Sequence, residues 1–507
     1  MNRGRKLLYN SISAIFYQVI TIVCGFVLPS FLIPAFGSKV NGVISSITQF
    51  LTIVTLCEMG MGAVVQSALY KPLATKDIEG ISKIFVSSKR FFSNIMKILA
   101  IYVVLLSVLY PLIIRTDFDF LFTFSLIFIL AFNYIAQYYL FLTHRLVLSA
   151  DQMSFIHLTT HSVLLIVNTI LTIVLIKLGA TIHVVKLASS IVFLCQPIAI
   201  KIYIDKHYDI DTKVVLTEEP LQQKWNGIAQ HLVVVIRQTI PTLLLTFFAT
   251  LVDISIYGVY FLVVNGVRQI IVSLSTGMQA MLGNMLANKE IDTLNKTYSL
   301  IEFALHTIVT IAFTLTGILI IPFIKVYTHT FTDANYIYPL FGILLTLAHS
   351  MYCLRMPYDM MIRAAGHYRE TQTSSFIEAG LSVLVMLIAV ICWGLIGVAI
   401  GTFVSIVYRM IYLVFYLKKN IIFRSEKYFL KHLFVDILVV ALVVISTYWI
   451  KLSAISYKSW IVMALMVAVI AIIVSSLVNM IFYRKNFIGM LKFIKKKLKR
   501  LKWKKSK

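Results

Sequence analysis

Apolar runs of about 18 to 25 residues follow one another along the whole chain, each long enough to cross a roughly 30 Å hydrocarbon core as a helix. They predict fourteen spans, at 12–36, 41–64, 91–114, 119–142, 154–176, 183–204, 226–250, 257–283, 298–324, 337–360, 371–393, 395–417, 433–450 and 459–483. The polar segments between them are short. The longest internal one, 205–225, mixes acidic and basic residues and joins two similar halves. Outside loops of this length hold no soluble catalytic domain.

The halves repeat each other. A shift of 216 residues sets Asn10 against Asn226, Ile12 against Ile228, Phe31 against Phe247 and Gly42-Val against Gly258-Val. After a three-residue slip, Ala74-Thr-Lys-Asp-Ile-Glu faces Ala287-Asn-Lys-Glu-Ile-Asp. Spans 1 and 2 therefore correspond to spans 7 and 8. Six spans per unit is an even number, so both units enter the membrane from the same side and the repeats are parallel. The expected organisation is an N-terminal six-helix lobe at 1–204, a linker at 205–225, a second lobe at 226–417, an added helix pair at 433–483 and a basic tail at 484–507. That is an all-α membrane protein with two lobes around a central cavity.

Composition excludes the soluble alternatives. Of 507 residues, 59% are hydrophobic and 13% charged, against about 25% charged in a soluble chain, and mean hydropathy is +0.89. The net charge of +25 follows from topology. With the amino terminus inside, 33 of the 46 basic residues fall on cytoplasmic segments, and the outer loops hold only Lys39, Arg115, Lys177, Lys325, Lys451 and Lys458. Basic loops stay inside, so both termini are expected in the cytoplasm and the charge is no nucleic-acid footprint. In the tail, Phe487, Met490, Leu491, Ile494, Leu498 and Leu501 recur at helical spacing among lysines. This suits a helix lying on an anionic leaflet, and equally a charged tail that only fixes topology.

Polar residues inside spans mark what a bundle encloses. Span 2 carries Ser45, Thr48, Gln49, Thr52 and Thr55 on one stripe, and span 8 carries Asn265, Arg268, Gln269, Ser275, Thr276 and Gln279. Span 1 adds Gln18 and Thr21, and span 7 adds Gln230, Arg237 and Gln238. Arg237 and Arg268 both lie near the midplane, where an arginine costs about 2.5 to 3.5 kcal/mol. They are candidate contacts for an anionic ligand, since a guanidinium fork matches phosphate oxygens. The alternative is pairing with carboxylates such as Glu58 or Asp253, or only hydrating the cavity. Glu58 is a candidate proton or cation site, with an ion pair or a wet inner vestibule as the competing reading. Lys97, Lys201, Arg355 and Glu302 sit near span ends and are expected to snorkel, and Arg409 and Lys186 are deeper candidates. His157 and His161, at i and i+4, lack an evident third ligand and are expected to make an ordinary interhelical hydrogen bond. The five cysteines are scattered within spans and read as free thiols.

No phosphate-binding glycine loop, His-Glu-x-x-His or paired cytoplasmic aspartates are present, so the chain reads as a transporter with no cofactor and no catalytic site. The segment Asn10–Gly42, then Leu56-Cys-Glu-Met-Gly-Met-Gly, the Ala-x-Lys-acid-Ile-acid loops and Leu395-Ile-Gly-Val-Ala resemble the multidrug/oligosaccharidyl-lipid/polysaccharide exporter superfamily over residues 1–420. Within it the chain looks like the polysaccharide-transporter (Wzx-type) flippases, with the lipid II flippases as near relatives. The resemblance implies a bacterial cytoplasmic-membrane protein moving an undecaprenyl-diphosphate-linked oligosaccharide outward by alternating access, with a polysaccharide polymerase as functional partner. It also implies that Arg237 and Arg268 meet the diphosphate. Fourteen spans look more like the lipid II flippases, whose extra pair helps form a lipid groove. A peptidoglycan precursor therefore remains an alternative substrate. A multidrug or organic-cation antiporter would want carboxylates in the cavity, where this chain places arginines.

Overall fold

The computed structural model describes residues 3–53, 56–114, 118–215, 228–422 and 424–489. In chain order the helices are α1 (Arg3–Phe36), α2 (Ser38–Thr52), α3 (Leu56–Thr75), α4 (Ile78–Ile113), α5 (Phe120–Ala136), α6 (Leu142–Ala150), α7 (Ser154–Lys177), α8 (Ile182–His207) and α9 (Ile228–Phe248). They continue as α10 (Leu251–Ala287), α11 (Ile291–Tyr327), α12 (Pro339–Leu354), α13 (Met356–Ala364), α14 (Gln372–Trp393), α15 (Leu395–Asn420), α16 (Lys427–Thr447) and α17 (Tyr457–Phe482). The described residues contain no strand. Each of the fourteen expected spans is mainly helical over its described residues. Among the described residues twelve helices are long and apolar enough to cross a membrane, and the other two expected spans are α2 with α3, and α9.

Two spans are internally broken for local reasons. The span expected at 337–360 divides at Arg355, because Pro357 stands in the first turn of α13 and its ring opposes the carbonyl of Cys353. The span expected at 119–142 passes through one π-helical turn, Gln137–Phe141, between α5 and α6.

The chain forms two compact units, Met1–Gly258 with Phe331–Ala334, and Val259–Thr330 with Asn335–Lys507. Compactness thus divides the chain within α10, whereas the sequence repeat divides it near residue 226. In the first unit α1 lies along α7 through residues recurring every three or four positions. Lys6 pairs with Asp151 at 2.7 Å, Asn10 donates to the Gln152 carbonyl, and the Tyr17 ring meets His161 edge-on. Asp151 also accepts from the Tyr208 hydroxyl at 2.7 Å. Burial, then that carboxylate, pushes the Tyr208 phenol above its usual range, so it stays a donor.

In the same unit α9 packs on α2 and α3, with Ser46 and Thr246 hydroxyls 2.7 Å apart and Phe50 against Phe247. Gly42 permits the approach of Leu251, whose carbonyl oxygen would lie 1.9 Å from an added Cβ. Asp333 caps α2 by accepting from the Ser38 amide and hydroxyl. That explains why four residues from a distant loop belong to this unit. Cys24, Cys195, Cys353 and Cys392 are free thiols, as expected.

In the second unit α14 and α15 form a tight hairpin. Gly394 turns the chain at φ +53°, and Gly397 and Gly401, spaced i and i+4, press against the backbone of α14. A Cβ on Gly401 would stand 2.5 Å from the Met386 Cα. Gly401→Ala is therefore expected to force the helices apart and cost about 1 to 3 kcal/mol. Gly380→Ala, where an added Cβ meets open space, should leave stability unchanged or slightly raised. Thermal unfolding of the purified variants checks this, and equal melting of the two would reject the close-packing account. On the unit's other flank α11 packs against α16 and α17, where Val435, Val439 and Val443 meet Ala471 and Val478.

Candidate functional site

Arg268 and Asn265 stand one turn apart on α10, and this spacing puts them on one face. Arg268 Nη2 donates to Asn265 Oδ1 at 2.6 Å. The Arg268 guanidinium lies 5.2 Å from the centre of the Tyr352 ring on α12, and that of Arg355 lies 4.7 Å from the same ring. Arg268, Asn265 and Tyr352 are half-buried, whereas Arg355 is buried.

Arg355 is held from behind. Its Nη1 donates to Glu378 Oε1 of α14 at 2.7 Å, and the pair is nearly dry, with side chains 7% and 5% exposed. Arg409 of α15 brings Nε to 3.8 Å from the other Glu378 oxygen and donates through Nη1 to the Thr371 carbonyl at the start of α14. Asp359 of α13 pairs with Arg363 and faces Arg355 and Arg409. Among the described residues the cluster thus sets four guanidiniums against two carboxylates. The α14–α15 hairpin places Glu378 and Arg409, the Arg355 break between α12 and α13 aims its guanidinium inward, and Tyr352 transmits that fixed position to Arg268 through its ring. An array with more guanidiniums than carboxylates, in which Arg268 is half-buried and Arg363 exposed, can receive an anion.

The structure thus joins Asn265 to Arg268 among the sequence candidates, with Gln269 half-buried beside them on α10. The remaining candidates belong to the first unit. Gln18 and Gln49 are half-buried on α1 and α2, and Gln238 is exposed on α9. The Thr21 hydroxyl is buried with no hydrogen-bond partner among the described residues. Thr52 donates to the Thr48 carbonyl and lies 3.3 Å from the Tyr134 hydroxyl of α5. The side chains of Arg237 and Glu58 lie outside the described residues. Asp253, weighed as a counter-ion, accepts from the amide and hydroxyl of Thr250 at the start of α10.

Two expectations are corrected. Arg355 and Glu302 do not snorkel, being 6% and 1% exposed. The reason is pairing: Arg355 has Glu378, and Glu302 has Arg424 at 2.6 Å, His432 at 3.5 Å and the Tyr358 hydroxyl at 2.8 Å. Around Glu302 a second polar strip runs along α11. His306 Nδ1 meets Asp436 Oδ2 of α16 at 2.6 Å, and the Thr310 hydroxyl donates to Asp436 Oδ1 at 2.7 Å. Glu302, His306 and Thr310 are spaced i, i+4 and i+8, so one face of α11 carries all three. Glu378 and Asp436 went unnoticed in the sequence, although each is a carboxylate within an apolar run. His161 bonds Gln196 of α8 at 2.8 Å, the expected interhelical hydrogen bond.

No protein-family profile matches the chain, and no curated protein matches it. Among solved structures it is similar to the lipid II flippase MurJ in an inward closed conformation, with a TM-score of 0.72 and 19% identity over 94% of this chain and 99% of that one. It is also similar to an inward-facing multidrug resistance MATE family transporter of the MOP superfamily, with a TM-score of 0.61 and 14% identity over 80% of this chain and 96% of that one. The MATE multidrug transporter DinF-BH gives a TM-score of 0.54 and 15% identity over 84% of this chain and 98% of that one. The chain therefore has the fold that these flippase and multidrug-transporter structures share.

Proposed function

We propose that the protein is a flippase for an undecaprenyl-diphosphate-linked oligosaccharide, a capsular or cell-wall repeat unit, working by alternating access in a bacterial cytoplasmic membrane with both termini inside. The observation that carries the reading is Arg268, a half-exposed guanidinium oriented by Asn265 and Tyr352 beside a locked Arg355–Glu378–Arg409 set. A glycolipid head is too polar to cross hydrocarbon. A hydrated path with cationic groups replaces its water while the prenyl chain stays in lipid. Arg268, with Arg237 as second cation, Asn265, Gln269, Gln238, Gln18, Thr21, Gln49 and Thr52 as polar lining, and Glu58 as coupling site, make up the proposed route. Likeness over nearly the full length to a lipid II flippase supports lipid-linked cargo. It also favours a second reading, in which the head is a lipid II-type peptidoglycan precursor.

Deleting the gene and analysing lipids tests the main reading: a complete lipid-linked repeat unit should accumulate on the inner leaflet. Rescue of a strain depleted of its lipid II flippase would select the second reading. Unchanged lipids with altered drug resistance would reject both. Within the site, Arg268→Ala is expected to lower transport at least about tenfold, the low end for losing a charged hydrogen bond. Arg268→Lys should fall between, since it keeps charge and loses the fork. Full activity in R237A/R268A at normal membrane levels would refute the anion role.

A further inference from the structure

A cavity of about 430 Å³ opens where α11, α16 and the end of α17 come together, away from the Arg268 cluster in sequence and in its set of helices. Arg424, Lys431, Arg484 and Lys485 line it together with Tyr428 and Tyr483, and no carboxylate is among the described lining residues. Two of the four cations are held in place. Arg424 reaches through the wall to the buried Glu302 at 2.6 Å and lies 4.2 Å from the centre of the Tyr428 ring. Lys431 donates to the Phe482 carbonyl at 3.0 Å and lies over the Tyr483 ring. Arg484 and Lys485 are exposed at the mouth. A guanidinium carries five N–H donors and an ammonium three, so these anchoring contacts leave the cavity rich in directed donors.

Such a set recognises phosphate oxygens. What decides between a free anion and a lipid is the rim. Ile481 lines the cavity and is 76% exposed, and Leu477, Phe434 and Ile437 on the same two helices are exposed as well. These helices are among those able to span a membrane. A cationic pocket opening onto apolar helix faces matches an amphiphile whose phosphate enters and whose chains remain in hydrocarbon. We propose that this cavity binds the headgroup of an anionic phospholipid. The residues that grip it belong to the α16–α17 pair and the segments flanking it, with Ser299 the contribution of α11, so a bound lipid would tie the added pair to the rest of its unit. This site is separate from the substrate contacts proposed above.

The test uses the full-length protein in detergent, titrated with phosphatidylglycerol or phosphatidylcholine and read by native mass spectrometry. Parent protein should retain phosphatidylglycerol in preference to phosphatidylcholine, and millimolar inorganic pyrophosphate should not strip it. R484Q/K485Q should weaken phosphatidylglycerol about twenty-five-fold, from about fivefold per basic residue near a lipid surface. R484K/K485R should bind like the parent. The basic tail is present in every variant, so its contribution cancels. Equal affinity of R484Q/K485Q and parent overturns the proposal, and displacement by pyrophosphate overturns the lipid as occupant. Should the double variant fail to fold, a photoreactive phosphatidylglycerol on the parent decides. Adducts within Tyr428–His432 or Ile481–Asn486 support the site, and their absence from both segments overturns it.

Discussion

Glu378→Ala should destabilise the second unit by about 3 to 5 kcal/mol, the cost of leaving a buried charge without its partner. Two guanidiniums turn toward this one carboxylate, Arg355 at 2.7 Å and Arg409 at 3.8 Å, and the Arg355–Glu378 side chains are almost entirely out of contact with solvent. Removing it leaves like charges facing each other where water cannot screen them. By comparison, an interhelical hydrogen bond such as His161–Gln196 is worth about 0.6 kcal/mol in a membrane protein. At about 2 to 4 °C per kcal/mol for a unit of this size, the melting temperature should fall by roughly 10 °C. Glu378→Gln keeps the shape and one acceptor oxygen, so it should recover part of the loss. The double variant E378L/R355M, which replaces the pair by apolar groups of similar volume, should melt closer to the parent than E378A does. Thermal unfolding of purified protein decides it. A drop below about 1 kcal/mol in E378A would show that Arg355 and Arg409 find other anions and that the lock is not built on Glu378.

This lock also separates what the sequence could tell from what it could not. Hydropathy located the twelve described helices that are long and apolar enough to cross a membrane, because a segment that crosses hydrocarbon must be apolar throughout and that requirement is written locally. The break at Arg355 falls inside a span expected to be continuous, 337–360, although its cause is local, Pro357 standing two residues on. Leu395-Ile-Gly-Val-Ala stands out in the sequence as a motif, and the packing of its one glycine, Gly397, against the Ala389 backbone gives it a physical reason. Helical spacing likewise put Asn265 and Arg268 on one face, and the structure bonds them. Pairings between helices are different. Glu302 meets Arg424 and His306 meets Asp436 across more than a hundred residues, and a period of 3.6 carries no information about which face of which helix lies opposite. One signal was available. A carboxylate in the middle of an apolar run demands a cation, and Glu378 and Asp436 both met that description in spans that were otherwise unremarked.

Glu302→Gln should cost less than Glu378→Ala, about 2 to 3 kcal/mol, although Glu302 is the more buried carboxylate. The difference lies in its partners. Arg424 is 17% exposed and borders the cavity between α11, α16 and α17, so when its counter-ion is lost it can draw on water or on an anion there. Arg355, at 7%, has no such outlet. Glutamine also keeps an acceptor for the Tyr358 hydroxyl, which donates to Glu302 Oε1 at 2.8 Å. Arg424→Gln alone should be the more damaging change, because it strands a carboxylate that is 2% exposed and leaves it only polar contacts, the His432 imidazole at 3.5 Å and the Tyr358 hydroxyl at 2.8 Å. The double variant E302Q/R424Q removes both charges, so its loss should be smaller than the sum of the two single losses by about 1 to 3 kcal/mol. Melting of the four proteins in the same detergent gives this coupling directly. Strict additivity would mean that the 2.6 Å contact contributes nothing to stability, and that Glu302 is held by Tyr358 and His432 alone.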